Sequence, residues 1–580
     1  MRTFRVARSA GALACLALLA GCIQMPTSGP VVPSQVSTEV DDVPGISFDP
    51  RPPRPGETSS EIVAGFLEAM KATPIRTTVA RQFLSGAAQE AWAPERQIIT
   101  YAELGDPDGS SSVRLQLTDV NLYDARGTWD RTLPARQLGL TLVQEGGEWR
   151  IDQLPDALIV PDSWFEDWYQ RVSLYFFDPT TEVLVPEPVF APRGEQLASA
   201  LVRGLLTSPD GESSQVARTF FPPGTTLGLS VPISTAGIAD VSLSGDPDAI
   251  DQETADRMLA QLAWTLQQEP LIRAFELSVG GRTFASSAGG STQVNLDVGR
   301  AYDPSGFDST GELFALDSGR LVRGAIGAFE ETLGPMGQVD LGLRSMGVNI
   351  AGTRVAAVSG DGTEVLLGQV EVVDGRVERV VRGAMDLQAP VWDYRDRVWV
   401  LDRNGGRARV LLVVDGGVRE VTVPGVSRRT VREILVSRDG SRLVAVERGR
   451  SRDKVVVLRI QHDDTGRVLS LTGPQELPLP VEGIARIRDV GWRSPTTVSV
   501  LSDFNEDISQ VRTFSVDGSP AEIVTGGTSR LRGRTRRLVS VPLEGSDVYA
   551  LAGRSVTDLT RLERTVPDLP RGLTGLTFAG

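Results

Sequence analysis

The 580-residue chain has few of the side chains that enzymes use for covalent and metal chemistry. It has one histidine, His462, and two cysteines, Cys15 and Cys22. One histidine excludes histidine-rich metal sites and argues against a Ser–His–Asp triad. Neither a G-x-S-x-G elbow nor a phosphate-binding P-loop occurs. The sequence therefore predicts a protein that is not an enzyme and holds no metal or cofactor.

Basic residues are also in the minority, with 59 Lys and Arg against 74 Asp and Glu and a net charge of −15 at pH 7. Such an acidic chain is not expected to bind nucleic acid. Only Lys71 and Lys454 are lysines, and every other strong base is arginine. This bias indicates a GC-rich genome and suggests an actinobacterium.

The first 22 residues have the pattern of a bacterial lipoprotein signal. Arg2, Arg5 and Arg8 precede an apolar run over residues 10–20, which is followed by the sequence Leu-Ala-Gly-Cys ending at Cys22. The run is about half the ~20 residues needed to span a bilayer, so it predicts a signal peptide over residues 1–21. We expect Cys22 to carry N-palmitoyl and S-diacylglycerol groups, which would anchor the protein at the extracytoplasmic face of the cell membrane. The alternative is an ordinary secretory signal with an incidental cysteine.

Processing at that site would change the chemistry of the mature chain. It removes Cys15, three arginines and no acidic residue, so the net charge becomes −18. Because Cys22 is then used for lipid, no disulfide, reactive thiol or cysteine-ligated metal is expected.

A tether and an α+β domain follow. Residues 22–57 carry eight prolines and few apolar clusters, which is typical of an extended tether. In the domain over residues 58–162, Thr58 and Glu61 match a capping box before a helical apolar pattern, and a second helix is predicted over residues 79–92. Alternating patterns then predict strands at 98–104, 113–120 and 138–143 and a hairpin at 145–151. Helices followed by such strands favour a cone-like curved sheet wrapped on a helix.

Residues 168–285 are expected to form a second α+β unit. It contains the sequences Leu-Tyr-Phe at 174–176, Leu-Leu-Thr-Ser-Pro at 205–209, Pro-Pro-Gly-Thr at 222–225 and Gln-Leu-Ala-Trp-Thr-Leu at 261–266. These sequences resemble the GerMN module of spore-germination and cell-envelope proteins. Most are core and turn residues, so the resemblance concerns the fold and not a chemistry.

A polar linker over residues 286–309 leads to a region, residues 310–580, with repeated short apolar strands. Their starts are about 40 to 55 residues apart, the spacing of propeller blades. The copies are Leu-Phe-Ala-Leu at 313–316, Val-Ala-Ala-Val at 355–358, Val-Trp-Val-Leu at 398–401, Leu-Val-Ala-Val at 443–446, Val-Ser-Val-Leu at 498–501 and Val-Tyr-Ala-Leu at 548–551. We expect an all-β propeller of five or six blades whose last strands complete the first blade. A β-sandwich is the competing fold.

The order of signal, tether, α+β unit, GerMN-like unit and propeller resembles the LpqB family of actinobacterial lipoproteins over essentially the whole chain. The run Pro-Thr-Ser-Gly-Pro at 26–30, just after Cys22, is a distinctive part of the match. The resemblance implies a partner: the extracytoplasmic domain of the sensor histidine kinase MtrB, of the MtrA–MtrB two-component system. It further implies a modulating role in signalling for envelope homeostasis and division.

Three features of the sequence could belong to an enzymatic site. His462 lies in the sequence His-Asp-Asp-Thr-Gly, which predicts a solvated hairpin turn. The sequence from Ser451 to Lys454 matches S-x-x-K, but the S-D-N and K-T-G elements of penicillin-recognising enzymes are missing. A pair of carboxylates for glycoside hydrolysis is invisible in sequence and stays open.

The last feature is a group of five arginines in an acidic chain: Arg530, Arg532, Arg534, Arg536 and Arg537. They form a possible electrostatic contact patch for lipid headgroups, an anionic wall polymer or an acidic kinase domain, and a solvated loop is the alternative. Arginines at 428–429 and 448–452 would join them if blade order puts these loops on one rim. The preferred hypothesis is a kinase-binding lipoprotein, and the other is a module that binds or hydrolyses cell-wall glycan.

Overall fold

The computed structural model describes residues 47–209, 215–287, 289–306, 308–480, 486–520, 528–543, 545–561 and 565–580. The expected signal peptide, Cys22 and most of the expected tether lie outside these ranges. The last tether residues lie along the first domain. There the Phe48 backbone N–H donates to the Thr73 hydroxyl at 2.8 Å, and the Gly56 N–H donates to the Glu148 carboxylate at 2.8 Å.

The first domain begins with helix α1 (Ser59–Ala69), which has the predicted capping box. The Thr58 hydroxyl accepts from the Glu61 N–H at 3.3 Å, and the Glu61 carboxylate accepts from the Thr58 N–H at 2.8 Å. Both bonds satisfy N–H groups that the first turn of a helix leaves unpaired.

The single helix predicted over residues 79–92 is wrong, because the structure has two short helices there, α2 (Thr78–Arg81) and α3 (Gly86–Ala91). Between them the Ser85 N–H donates to the Ile151 carbonyl at 2.8 Å. The Ser85 hydroxyl then caps α3 by accepting from the Ala88 N–H at 3.2 Å. Pairing with the sheet and a new N-cap therefore override the helical periodicity.

The sheet of this domain has the order β5-β4-β3-β1-β6, with β2 paired to β3, and packs its apolar face on α1. Strand β6 is parallel to β1, and the other pairs are antiparallel. The strands are β1 (Gln97–Tyr101), β2 (Glu103–Leu104), β3 (Ser112–Asp124), β4 (Trp129–Glu145), β5 (Glu148–Gln153) and β6 (Leu158–Pro161). Helix α4 (Asp162–Trp168) leads into the second domain.

The second domain combines a hairpin, two helices and a small sheet. Helices α5 and α6 bury their apolar faces in a core shared with the hairpin and the sheet. In the sheet β9 is parallel to β10, while β11 and β12 are antiparallel to it. The elements are β7 (Tyr169–Phe177), β8 (Leu184–Pro192), α5 (Leu197–Leu206), β9 (Ile238–Leu243), α6 (Gln252–Leu266), β10 (Ala274–Val279), β11 (Arg282–Phe284) and β12 (Gln293–Asn295).

Within the described residues from 313 onward, the strands form six sheets arranged as blades around an axis. A short helix, α7 (Pro335–Gln338), lies between the first two. The first three blades contain β13 (Leu313–Asp317), β14 (Arg320–Ala325), β15 (Ala328–Glu331) and β36 (Leu573–Phe578); β16 (Leu343–Val348), β17 (Arg354–Ser359), β18 (Val365–Gln369) and β19 (Glu378–Val381); and β20 (Val391–Trp392), β21 (Val398–Asp402), β22 (Arg409–Val414) and β23 (Gly417–Val421).

The other three blades follow the same plan, and the ring is closed by β36, which pairs antiparallel with β13. The C-terminal strand is thus the innermost strand of the first blade. These blades contain β24 (Val431–Val436), β25 (Arg442–Glu447), β26 (Lys454–His462), β27 (Val468–Leu471) and β28 (Gln475–Glu476); β29 (Ile487–Ser494), β30 (Thr497–Asp503), β31 (Ile508–Ser515) and β32 (Thr528–Arg532); and β33 (Arg537–Val539), β34 (Tyr549–Ala552) and β35 (Ser555–Asp558).

All six repeated apolar motifs of the sequence fall on the same strand of the blade, the second from the axis. This strand is covered by a neighbouring blade on each face, so its side chains are buried on both sides, as the unbroken burial of β21 shows. The predicted fold class, two α+β domains followed by an all-β propeller, is confirmed.

Because successive strands are antiparallel, the loops of the propeller alternate between two faces. The loops between the first and second strands and between the third and fourth strands of each blade form one face. The second domain lies against this face, which we call the docked face. The opposite face, formed by the remaining loops, is called the open face.

Buried ion pairs join the second domain to the docked face. The Glu187 carboxylate on β8 accepts from Arg459 at 2.9 Å and lies 3.3 Å from the Arg442 guanidinium, whose side chain is only 1% exposed. Arg442 also donates to the Pro186 carbonyl at 2.7 Å, and the Tyr394 hydroxyl donates to Asp178 at 2.9 Å.

The first domain is joined to the second in the same way. The Phe190 side chain on β8 packs in the core of the first domain. Its N–H donates to the Gly127 carbonyl at 2.8 Å. The described residues of the two α+β domains and the propeller therefore form one continuous body.

Candidate functional site

A cavity of about 450 Å³ lies on the axis of the propeller. It is lined by the innermost strands of the blades, β16, β20, β24, β29, β33 and β36, and by the loops that precede them. We call this cavity the central channel. Its volume is within the range of about 300–1,000 Å³ that is typical of small-molecule sites.

The channel is closed on the docked side by Arg438. This side chain belongs to the fourth blade and donates to the carbonyl of Ala579, next to the innermost strand of the first blade on the opposite side of the ring. It also donates to the Ser305 carbonyl at 2.9 Å. Burial lowers the pKa of Arg438 to about 10, so the guanidinium stays charged at neutral pH. Entry is therefore from the open face.

Five arginines line the wide end of the channel: Arg344, Arg403, Arg432, Arg536 and Arg537. Arg344 and Arg403 share one carboxylate, that of Asp386, at 2.8 and 2.5 Å. Among the residues that the structure describes, the guanidinium groups of the other three have no hydrogen-bond acceptor and no carboxylate within 4.0 Å.

Two acidic side chains meet beside these arginines. The carboxyl groups of Glu433 on β24 and Asp489 on β29 are within hydrogen-bonding reach of each other. Burial, followed by the charge of Asp489, raises the pKa of Glu433 well above its usual range. Asp489 accepts from the Leu538 N–H at 2.6 Å, a bond that favours its ionised form. Burial also raises the pKa of Asp489, against the lowering effect of the Arg537 charge, so burial favours the protonated form of both carboxyl groups and does so more strongly at Glu433.

Three of the innermost strands have the same irregularity beside these charged residues. The register of β16, β24 and β29 shifts at Arg344, Arg432 and Arg488, which is the position of a β-bulge in each strand. A bulge re-aims a side chain and often lies beside a functional site. The next residue, Ser345, Glu433 or Asp489, is equivalent in the three blades.

Sequence reasoning missed these channel residues, although a signal was present. The segments Leu-Arg-Ser-Met at 343–346, Val-Arg-Glu-Ile at 431–434 and Ile-Arg-Asp-Val at 487–490 share an arginine followed by a polar residue between apolar ones. Aligning the blades on their second strands brings these segments into register. The arginine and the polar residue after it, inside an otherwise apolar strand, would then have indicated the channel.

The predicted arginine patch is divided by the structure. Arg530 and Arg532 lie on β32, the outermost strand of the fifth blade, and Arg530 stacks 4.5 Å from the centre of the Phe504 ring. Arg534 follows in the loop to the sixth blade, while Arg536 and Arg537 reach the channel. All five are exposed. No carboxylate of the described residues lies within 4.0 Å of any of the five.

The arginines at 428–429 and 448–452 belong to loops of this same open face. Arg448 lies 3.2 Å from the buried Asp453, which Arg486 also contacts at 2.9 Å. Arg429 is 4.0 Å from Glu447. The loops that carry the predicted patch and these arginines are thus on one face, although two of the latter, Arg429 and Arg448, already have acidic partners.

His462 is not in a solvated turn, and that part of the prediction is wrong. The turn comprises residues 463–466, whereas His462 is the last residue of β26 and is 7% exposed. Its Nε2 lies 3.1 Å from an Arg397 nitrogen. Burial and the charge of Arg397 lower the pKa of His462 to about 3, so the ring is neutral and accepts this hydrogen bond. A neutral histidine paired to a buried arginine has a structural role.

The S-x-x-K sequence also has no catalytic geometry. Lys454 begins β26 and its Nζ lies 2.6 Å from the Glu476 carboxylate, while Ser451 is exposed in the preceding loop. No hydrogen bond joins the two within the described part of the chain. Over the same residues, no cluster of three or more His, Cys, Asp or Glu side chains is placed to hold a metal, and no helix has both the length and the apolarity to cross a membrane.

Comparison with known families gives three adjacent matches. The family described as "Lipoprotein LpqB, N-terminal domain" matches residues 52–166. The family described as "Sporulation and spore germination" matches residues 173–284. The family described as "Lipoprotein LpqB beta-propeller domain" matches residues 319–564.

Individual relatives are similar to this chain over most of its length. A protein named lipoprotein LpqB from Streptomyces coelicolor is 28% identical and covers 87% of both chains. Another of that name, from Thermobifida fusca, is 25% identical over 89% of this chain and 90% of its own. Among solved structures, the first GerMN domain of the sporulation protein GerM from Bacillus subtilis covers 22% of this chain and 96% of its own, at 22% identity and a TM-score of 0.18. The chain belongs to the LpqB family of lipoproteins, with a GerMN domain between its N-terminal domain and its β-propeller.

Proposed function

We propose that this lipoprotein is anchored through Cys22 at the extracytoplasmic face of the cell membrane, where it binds and modulates a sensor histidine kinase of the MtrB type. The open face carries the proposal. There Arg530, Arg532 and Arg534 are exposed and have no acidic partner among the described residues. Exposed charges without partners are available to an acidic protein surface, where they speed association and fix orientation.

The way the domains are joined supports a role in binding. The buried contacts of Glu187, Arg442 and Tyr394 fix the second domain on the docked face and leave the open face to a partner. A body held in this way loses little conformational freedom when it binds, so more of the contact energy contributes to affinity. We propose that the protein acts by such contact and not by catalysis.

Glycan hydrolysis is not favoured by the geometry, although the channel does contain a pair of acids. Retaining glycosidases hold their carboxyl groups about 5–5.5 Å apart, and inverting ones about 6.5–9.5 Å. The carboxyl groups of Glu433 and Asp489 are within hydrogen-bonding reach of each other, closer than either spacing, which leaves no room for the sugar or the attacking water. Binding of an anionic wall polymer to the open face is the second candidate, favoured by the same three unpaired arginines.

A pulldown with the kinase's extracytoplasmic domain tests the proposal. We expect the full chain to retain this domain, and the triple variant Arg530→Gln, Arg532→Gln, Arg534→Gln to retain at least about fivefold less. The matched control is Arg96→Gln, Arg114→Gln, Arg131→Gln, which removes three exposed charges from the first domain.

Three outcomes contradict the proposal. The first is that the full chain does not retain the kinase domain. The second is that the control variant weakens retention as much as the test variant, and the third is that the test variant retains as much as the full chain. Retention on insoluble peptidoglycan that is lost in the test variant, without retention of the kinase domain, supports the second candidate instead.

A further inference from the structure

We propose that the central channel of the propeller is a binding site for a small anion that carries a phosphate or carboxylate group. The ligand enters from the open face, and its acidic group binds between Arg432, Arg536 and Arg537. This inference is independent of the kinase interaction, because it concerns a site inside the propeller and a ligand of different chemistry.

The shape of the channel selects a small molecule or the end of a chain. Arg438 and the carbonyls of Ser305 and Ala579 close the docked end, so a polymer cannot pass through. The volume of about 450 Å³ accommodates a molecule of the size of a phosphorylated sugar or polyol, and not a folded loop of a partner protein.

The charge of the channel selects an anion. Asp386 is shared by Arg344 and Arg403, which leaves Arg432, Arg536 and Arg537 for the ligand. The acidic residues that face them are Glu433 and Asp489, and burial raises the pKa of both, which reduces their combined negative charge. Guanidinium groups bind phosphate and carboxylate through charge-assisted and often bidentate hydrogen bonds.

Unsatisfied polar atoms point to the same place. The Arg432 Nε, the Glu433 Oε1 and the hydroxyls of Ser345 and Ser540 are buried, line the channel and have no hydrogen-bond partner among the described residues. Buried polar groups without partners are rare in folded proteins. The two hydroxyls and the guanidinium nitrogen provide the donors that an oxygen-rich anion requires.

The bulges explain how the site is built. In β24 the bulge at Arg432 turns two successive residues, Arg432 and Glu433, toward the axis, and both line the channel. In a regular strand neighbouring side chains point to opposite faces, so one of the two would be directed away. The irregularity therefore adds a charged group to the channel.

Calorimetric titration of the full chain in detergent tests the site. The probes are glycerol 3-phosphate, citrate and, as the neutral control, glycerol, and a short glycerol-phosphate polymer distinguishes a free ligand from a chain end. We expect at least one anion to bind and glycerol not to bind. Arg432→Gln and Arg536→Gln should each weaken binding about tenfold, whereas Arg534→Gln, on the same face but outside the channel, should change it less than twofold.

A further variant separates an anion site from a cation site. Glu433→Gln keeps the shape of the side chain and cannot carry a negative charge, so anion affinity should not fall by more than about threefold. The inference is wrong if none of the anionic probes binds, if Arg536→Gln, whose exposed side chain is not needed for folding, leaves affinity unchanged, or if Glu433→Gln abolishes binding. The last result, together with spermidine binding to the unmodified chain, would identify a cation site.

Discussion

Glu187 is the residue on which the docking of the second domain onto the propeller depends most directly. Its carboxylate is the acidic partner of both Arg442 and Arg459, which are 1% and 17% exposed. A buried ion pair contributes little net stability, because desolvation offsets the attraction, but removing one partner leaves the other charge buried and unpaired.

Replacing Glu187 by alanine should therefore be costly. We expect Glu187→Ala to lower the free energy of unfolding by about 3–5 kcal/mol, since both guanidinium groups lose the carboxylate that they share across the interface. Glu182→Ala is the control, because the Glu182 side chain is 57% exposed and pairs with Arg395 on the same interface. It should cost no more than about 1 kcal/mol. Urea denaturation measures both, and equal effects would show that Glu187 does not fix the docking.

His462 should make stability depend on pH. Its pKa is about 3 in the folded chain and about 6.5 when unfolded, so the unfolded state binds more protons between these values. Its contribution is fully present above pH 6.5 and is lost as the pH falls toward 3. Titration of this residue should lower the free energy of unfolding by about 2 kcal/mol when the pH falls from 7 to 5.

The difference between unmodified chain and His462→Gln isolates this effect, since all other groups titrate in both. We expect the stability advantage of the unmodified chain over the variant to shrink by that amount between pH 7 and pH 5 in urea denaturation. A constant difference would contradict a neutral, buried His462.

At the scale of single elements, helix α1 shows how packing overrides propensity. A Cβ atom at Gly65 would lie 2.5 Å from the Phe83 ring, whereas one at Gly86, the first residue of α3, would contact nothing within 4 Å. Glycine is a poorer helix former than alanine by about 1 kcal/mol. Position 65 holds a glycine nevertheless, because the Phe83 ring occupies the space that a Cβ atom would need.

Alanine substitutions at these two glycines should have opposite results. Gly65→Ala should destabilise the first domain by about 1–2 kcal/mol net, because overpacking against Phe83 exceeds the gain in helix propensity. Gly86→Ala should be neutral or slightly stabilising. The thermal unfolding midpoint of each variant measures this, and a stabilised Gly65→Ala would show that the ring moves freely.

Elements with strong local patterns were predictable from the sequence, and elements that depend on distant partners were not. The capping box at Thr58 and the apolar motif repeated in six second strands are local, and both are confirmed. The break near Ser85 depends on Ile151, which lies far along the chain.

The candidate site was harder to predict, because its residues come from different blades. Glu433 and Asp489 are 56 positions apart and meet only when the fourth and fifth blades pack side by side. Of the predicted arginine patch, Arg536 and Arg537 line the channel, while Arg530 lies on an outer strand. Composition identified the charges, but not which of them the ring brings together.

At the scale of the whole molecule, the ring depends on one strand from the end of the chain. Strand β36 pairs with β13, and Arg438 reaches across the axis to the Ala579 carbonyl beside it. The innermost strand of the first blade therefore comes from the opposite end of the propeller sequence, and its loss would expose the edge of β13 and open the channel.

Deletion of residues 573–580 tests this closure. We expect the shortened chain to lose the cooperative unfolding of the whole propeller, because the apolar face covered by Leu576 and Phe578 is exposed and the ring can open between its first and last blades. Thr574→Ala, at an exposed position of the same strand, should change stability by less than about 0.5 kcal/mol. A synthetic peptide of residues 573–580 should restore the unfolding midpoint of the shortened chain, since it can pair again with β13. If the shortened chain unfolds at the same urea concentration as the full chain, the ring is held by contacts between neighbouring blades and β36 does not close it.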